Sequence, residues 1–349
     1  MLTDLPGVRF PLIQAPMAGV QGVELALAVS GAGALGSLPC AMLGLEALRA
    51  SLERIQAGAA CVNINFFCHV PPTPDAAREA AWREALQPYY RACGIAAAQQ
   101  VVPAPMRAPF SAETAELLAH FRPAVVSFHF GLPSAELLGR VRAWGARVLS
   151  SATTLDEALW LQAHGVDAII AQGLEAGGHR GMFLTQDVST QVGTLALVRQ
   201  IVRAVRVPVI AAGGIADASG VAAAMALGAA GVQVGTAYLL CPEAGTGPVH
   251  RAALQSDAAR HTALTRVFSG RPARGIVNRL MRDFADDDSV VPAFPLAGAA
   301  LAPLRQAAEK EGCGDFTPLW SGQNSSGCAA VPAAQLTQAL VRGFDRPAS

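Results

Sequence analysis

The densest concentration of chemistry in the chain is residues 172–181, Gln-Gly-Leu-Glu-Ala-Gly-Gly-His-Arg-Gly. His179 has glycines on its N-terminal side (Gly177, Gly178) and another at Gly181, so its neighbours in sequence cannot pack it as a core residue. Such a loop can lie flat against a ligand and project the imidazole inward. An ordinary imidazole titrates near neutrality, so it can move a proton or hold a developing negative charge. The bland reading is a solvated histidine on a surface loop.

Other residues support the sharper reading. In Val62-Asn-Ile-Asn-Phe-Phe-Cys-His69 a strand's alternation places Asn63 and Asn65 on one face, two amides that must find partners. His129, in Ser127-Phe-His-Phe-Gly131, stands near the end of another apolar run, where a structural role competes evenly with a catalytic one. Gln14-Ala-Pro-Met-Ala-Gly19 offers Met17, as ordinary core or as a wall beneath a flat ring. Ala211-Ala-Gly213-Gly214-Ile and Val234-Gly235-Thr236-Ala end two successive strands, and their glycines let backbone N–H groups approach an anion. Together they predict a phosphate site. His69 falls in a loop and is as readily solvated as functional. Cys40 and Cys68 lie near strand ends without a readable cation to activate them, so no thiol nucleophile is expected.

Eight short apolar runs must position these groups: 12–15, 34–38, 61–66, 124–130, 147–152, 168–172, 207–212 and 231–235. Most are continuous, not alternating, as befits parallel strands buried on both faces. Helical patterns lie between them at 24–29, 45–57, 135–144, 155–164, 194–205 and 218–227. Ser134 reads as an N-cap, Thr154 with Glu157 as a capping box, and Gly58, Gly165 and Gly228 as C-terminal stops. Strand–helix alternation with polar motifs after so many strands predicts a (β/α)8 barrel, a TIM barrel, over residues 1–243, in preference to a doubly wound open sheet. Residues 70–110 are too long for an ordinary connection and read as a helical excursion over the barrel mouth. Residues 244–349 read as a smaller helical cap on the substrate side, able to contribute to a homodimer.

Bulk composition narrows the classes. Net charge is zero over 349 residues, which gives no electrostatic footprint for nucleic acid or an anionic membrane. The seven cysteines are scattered, with no CxxC pair, so neither a disulfide framework nor a metal site is expected and a reducing cytoplasm is. The N-terminus lacks a signal-peptide pattern, and the apolar stretch 220–240 is interrupted by Gln233 and too Ala/Gly-rich for a membrane span.

Taken together these segments resemble the nitronate monooxygenases, formerly called 2-nitropropane dioxygenases. The likeness covers residues 14–19, 63–69, 127–131, 172–183, 209–215, 233–236, 269–278 and 319–323, and the Asn-Phe-Phe-Cys-His run is similar to the class I branch. The resemblance implies a barrel binding FMN non-covalently. It also implies oxidation of an alkyl nitronate, such as propionate 3-nitronate, with O2 to a carbonyl compound and nitrite or nitrate, a detoxification. It makes His179 the active-site histidine, a base for neutral nitroalkanes and a positioning group for nitronates, and His129 a second one. It gives Asn65 and Gln172 contacts to the isoalloxazine or ribityl chain, lays Met17 against the ring, and puts Gly177, Gly178, Gly213, Gly214, Gly235 and Thr236 at the ribityl phosphate. The tail departs from the family: Phe294-Pro-Leu replaces a Tyr-Pro-Leu run, no lysine follows before Lys310, and the three tyrosines are Tyr89, Tyr90 and Tyr238. Competing expectations are a flavin enoyl-acyl-carrier-protein reductase sharing the Gly-Gly-His loop, an NAD(P)H:quinone reductase, a flavin-binding barrel without turnover, and a phosphosugar isomerase barrel.

Overall fold

A computed structural model describes residues 2–96 and 107–345. Part of the expected excursion, residues 97–106, lies outside the described residues. The apolar runs form parallel strands β1 (Leu12–Gln14), β2 (Gly36–Pro39), β3 (Val62–Phe67), β4 (Val125–His129), β5 (Arg147–Ala152) and β6 (Ala168–Gln172). After a short strand β7 (Gly178–His179) come β8 (Val209–Ala212) and β9 (Gly231–Val234). Their order is β1-β9-β8-β6-β5-β4-β3-β2, and an Ile13–Leu35 bridge joins the two ends, so the sheet closes into the expected barrel. Every residue of β3, β6 and β8 is buried, which is why these runs are continuous.

Local signals explain the helix ends. Ser134 accepts from Leu137 N and Thr154 from Glu157 N, as their positions predict. Gly165 and Gly228 take left-handed φ of +78° and +90° just past their helices. At Gly58 the expectation shifts by one residue, because Ala59 carries the positive φ (+48°). Helix Ala333–Val341 packs against Val23–Gly31 and Ala218–Ala226, so the chain returns to complete the helix ring after the cap.

The tail is not wholly helical. Strands β10 (Thr262–Thr265) and β11 (Ala273–Ile276) form an antiparallel hairpin, and β11 pairs with β7, Ala273 opposite His179. Ala, Arg and Gly in β11 give no strand signal, and the pairing is set by a partner about 95 residues upstream. Excursion and tail also share one core, in which Trp82, Leu86 and Tyr90 pack with Phe268, Leu301 and Leu304. Tyr90 Oη donates to Ala300 O (2.6 Å), Tyr89 Oη to Asp283 (2.8 Å) and Trp82 Nε1 to Ala297 O (3.1 Å). The described residues contain no helix long and apolar enough to cross a membrane.

Candidate active site

The C-terminal ends of the barrel strands open into one cleft of about 1290 Å³ including its mouth. Met17, Asn65, His129, Gln172, Gly177, Gly178, His179, Gly213, Gly214, Gly235 and Thr236 all line it. Asn63 does not. It lies buried, donating to Ser37 Oγ (3.0 Å), and its Oδ1 has no partner among the described residues. Asn65, two residues nearer the mouth, donates to Ser127 Oγ (2.9 Å).

The loop that carries His179 is braced on every side. Arg180, fully buried, donates to Gln191 Oε1 (2.8 Å), Gly173 O (2.8 Å) and Gln172 O (2.7 Å). Gln172 Nε2 donates to His179 O (3.0 Å) while its Oε1 accepts from Gly181 N (2.7 Å). His129 Nε2 stands 3.2 Å from the same His179 carbonyl. A carbonyl only accepts, so His129 carries its proton on Nε2, and Nδ1 takes a hydrogen bond from Ser151 Oγ (3.0 Å). Both nitrogens of His129 are thus engaged by the protein.

His179 differs. Its Nε2 lies 2.8 Å from Ser269 Oγ, whose own hydroxyl is 3.3 Å from Arg271 O. Nδ1 has no hydrogen bond among the described residues. Phe294, Trp320, Phe130 and Phe67 surround the ring at centroid distances of 5.4, 5.6, 6.1 and 6.3 Å. This burial drives the imidazole pKa well below its ordinary value, and the positive charges of Arg107 and, more weakly, Arg271 act in the same direction. His129 is likewise pulled down to about 4 by burial. The cage is therefore a neutral-imidazole site that favours an anion. Phe130 is held at φ +70°, in a region that bulky residues rarely adopt, with the Arg271 guanidinium 3.9 Å over its ring. His69 is buried, not solvated, with its ring edge-on to Phe294 at 4.8 Å.

The far side of the cleft is a backbone cradle. Gly213 and Gly214 have φ of +117° and +71°, turning the chain where only glycine is unstrained. At Gly177 a Cβ would lie 2.5 Å from Gly322 N, because the tail crosses directly over it. Thr236 Oγ1 accepts from Gly322 N (2.9 Å) and Asn324 donates to Gly214 O (3.0 Å), so the tail completes this wall. Within the cleft Gln233 Oε1 is buried with no hydrogen-bond partner among the described residues.

Sequence reasoning missed Arg107, Ser151, His250, Ser269, Trp320, Gly322 and Asn324. Ser269, Trp320 and Gly322 do fall inside the stretches that carried the resemblance. Nothing local marked Arg107 or Ser151. The thiols stay out of the chemistry: burial raises Cys40 and Cys68 far above the ordinary thiol range.

Comparison with known proteins agrees with this geometry. The nitronate monooxygenase family model matches residues 1–343. The chain is 41% identical to a nitronate monooxygenase of Pseudomonas aeruginosa, covering 97% of each chain. It is 42% identical to one from Paraburkholderia phytofirmans, covering 98% of this chain and 94% of the relative. A solved nitroalkane oxidase from Streptomyces ansochromogenes superposes with a TM-score of 0.88 at 35% identity, covering 99% of this chain and 97% of that one. The chain belongs to the nitronate monooxygenase family.

Proposed function

We propose that this protein is an FMN-dependent enzyme that oxidises alkyl nitronates with O2 to a carbonyl compound and nitrite or nitrate. The observation that carries the reading is His179: a desolvated, neutral imidazole anchored through Nε2 to Ser269, with no hydrogen bond to Nδ1 among the described residues.

The residues present fit a flavin. Gly213, Gly214, Gly235 and Thr236, with Gly177 and Gly178, would hold the phosphate on backbone N–H groups. The orphaned Gln233 Oε1 awaits a donor such as a ring N–H, and Asn65, Gln172 and Met17 would face the ring and ribityl chain. When bound, the flavin supplies the electron acceptor for nitronate oxidation and the reductant for O2.

The protein's own groups then do three things. With the Ser269 proton directed at Arg271 O, the His179 proton sits on Nε2 and the Nδ1 lone pair faces substrate. That lone pair removes the α-proton of a neutral nitroalkane; for a nitronate the proton is already gone, and the imidazole has no proton to take. Arg107, which lines the cleft, would stabilise the nitronate's negative charge, while the phenylalanines around His179 exclude water and strengthen that attraction. His129, with both nitrogens engaged, acts as a positioning residue that fixes the His179 backbone. The seven free cysteines suit a reducing cytoplasm.

The cofactor assignment is tested on the purified protein. It should be yellow and release FMN on denaturation. A colourless protein that takes up no added FMN would overturn it.

A further inference from the structure

Two opposite charges lie behind the His179 loop, both wholly out of water: the Arg180 guanidinium and the Glu157 carboxylate. They meet through two neutral side chains. Arg180 Nε donates to Gln191 Oε1 (2.8 Å), Gln191 Nε2 to Thr153 Oγ1 (3.0 Å), and Thr153 Oγ1 to Glu157 Oε2 (2.7 Å). The direction of every link is fixed. A guanidinium only donates and a carboxylate only accepts, so the Gln191 amide fits one way round and the Thr153 hydroxyl has its proton committed. Taking two charges out of water is unfavourable, and an apolar filling of the same volume is often as stable. What such a set supplies instead is one defined geometry.

That geometry belongs to the His179 loop. At one end Arg180, next to His179 in sequence, also donates to Gln172 O (2.7 Å) and Gly173 O (2.8 Å), while the Gln172 side chain holds His179 O and Gly181 N. At the other end Glu157 accepts from Phe183 N (2.6 Å) and Thr153 N (2.7 Å). Thr153 directly follows β5, whose Ser151 meets His129, the second contact of the His179 carbonyl. Gln191 joins the two ends, and its own segment is tied down by Leu174 N donating to Val192 O (2.8 Å). None of Thr153, Glu157, Arg180 and Gln191 lines the cleft, so the set reaches the chemistry only through the residues it holds.

We infer that Gln191 and Thr153 are positioning residues for proton abstraction. As the neutral links between Arg180 and Glu157 they hold the His179 backbone, and with it the imidazole, in the one place from which it acts as a base. This rests on the proposed role of His179. Turnover of a neutral nitroalkane needs that placement, whereas a nitronate, already deprotonated, does not.

The test uses FMN-loaded Gln191→Met, which keeps the length of the side chain and removes both hydrogen bonds, together with Thr153→Val, the double variant and Thr153→Ser. Steady-state O2 uptake is measured with 1-nitropropane and with propyl-1-nitronate. Gln191→Met and Thr153→Val should each lower kcat for 1-nitropropane about tenfold, with KM held within about twofold and nitronate turnover falling by less than about threefold. Because both cut the same chain, the double variant should also lose about tenfold, not the roughly hundredfold of independent effects. Thr153→Ser, which keeps the hydroxyl, should recover most of the loss. Equal losses on the two substrates, a loss expressed in KM, or losses that multiply in the double variant overturn the inference. Amide hydrogen exchange gives a readout without turnover: Gln191→Met should raise exchange across residues 180–184 at least about tenfold and leave β3 unchanged. Unchanged exchange there refutes the link between Gln191 and the loop whatever the kinetics show. Oxidation of neither substrate by wild type, with the loop loosened as expected, would instead refute the proposed function and leave the brace standing.

Discussion

Replacing Ser269 by alanine isolates what orients the catalytic imidazole. Ser269 Oγ is the one protein partner of His179 Nε2 among the described residues, at 2.8 Å, and the ring otherwise meets aromatic faces. Ser269→Ala leaves a buried N–H with no acceptor, a loss of about 1–3 kcal/mol. Spread over rotation of the ring and a shift toward the other tautomer, that is a factor of about 5 to 150 in the productive state. Proton abstraction from a neutral nitroalkane needs the Nδ1 lone pair; orientation of a preformed nitronate needs it much less. The variant should therefore lose kcat/KM for 1-nitropropane by that factor, while propyl-1-nitronate turnover falls by less than about threefold. Ser269→Thr, which keeps the hydroxyl, should recover most of the loss. Initial rates of O2 uptake with the two substrates, at equal FMN occupancy, decide it. Equal losses on both substrates, or none on the nitroalkane, would refute the assignment of His179 as a base held by Ser269.

Other consequences are independent of this one. His69, His129 and His250 stand at about 4 in the folded chain, through burial, against an ordinary 6.5. The unfolded chain binds more protons between those values, so stability rises with pH from about 4 to 6.5 and then levels, each ring contributing up to roughly 3 kcal/mol. Urea midpoints at about pH 5 should lie well below those at about pH 7.5, and equal midpoints would show that the rings are not desolvated. Glu157 is fully buried and accepts from Thr153 N (2.7 Å), Thr153 Oγ1 (2.7 Å) and Phe183 N (2.6 Å), so Glu157→Gln sets an amide N–H against donors. A loss of about 2–4 kcal/mol in urea unfolding is expected, and less than about 1 would contradict it. Gly177→Ala drives a methyl into the tail at Gly322 and should weaken FMN retention at least about tenfold, measured by dialysis and reconstitution. Wild-type retention would remove the tail from the cofactor wall.

The barrel was legible because its signals are local. Most barrel strands are apolar runs buried on both faces, and β1, found at Leu12–Gln14, lies within the expected 12–15. The capping box is more instructive. Thr154 caps its helix as read, but the Glu157 carboxylate turns inward to Thr153 and to the backbone at Phe183 and Leu184, stitching β5 to the loop beyond His179. The site glycines, Met17 and both histidines could be picked out because their residue types are odd for their surroundings. Arg107 could not, since a single arginine in a Pro/Ala-rich segment looks solvated until the fold buries it against Phe294. The sheet β10-β11-β7 and the core shared by Trp82 and Leu304 were hidden for a related reason: both join segments that share no local pattern and meet only in the folded chain.

The central claim is nitronate oxidation without a pyridine nucleotide, and O2 consumption by the FMN-loaded protein with propyl-1-nitronate or propionate 3-nitronate tests it most directly. The expected result is rapid O2 uptake with nitrite or nitrate released and no requirement for NADH or NADPH. No uptake with either nitronate, together with NAD(P)H oxidation in the presence of an enoyl thioester or a quinone, would contradict it.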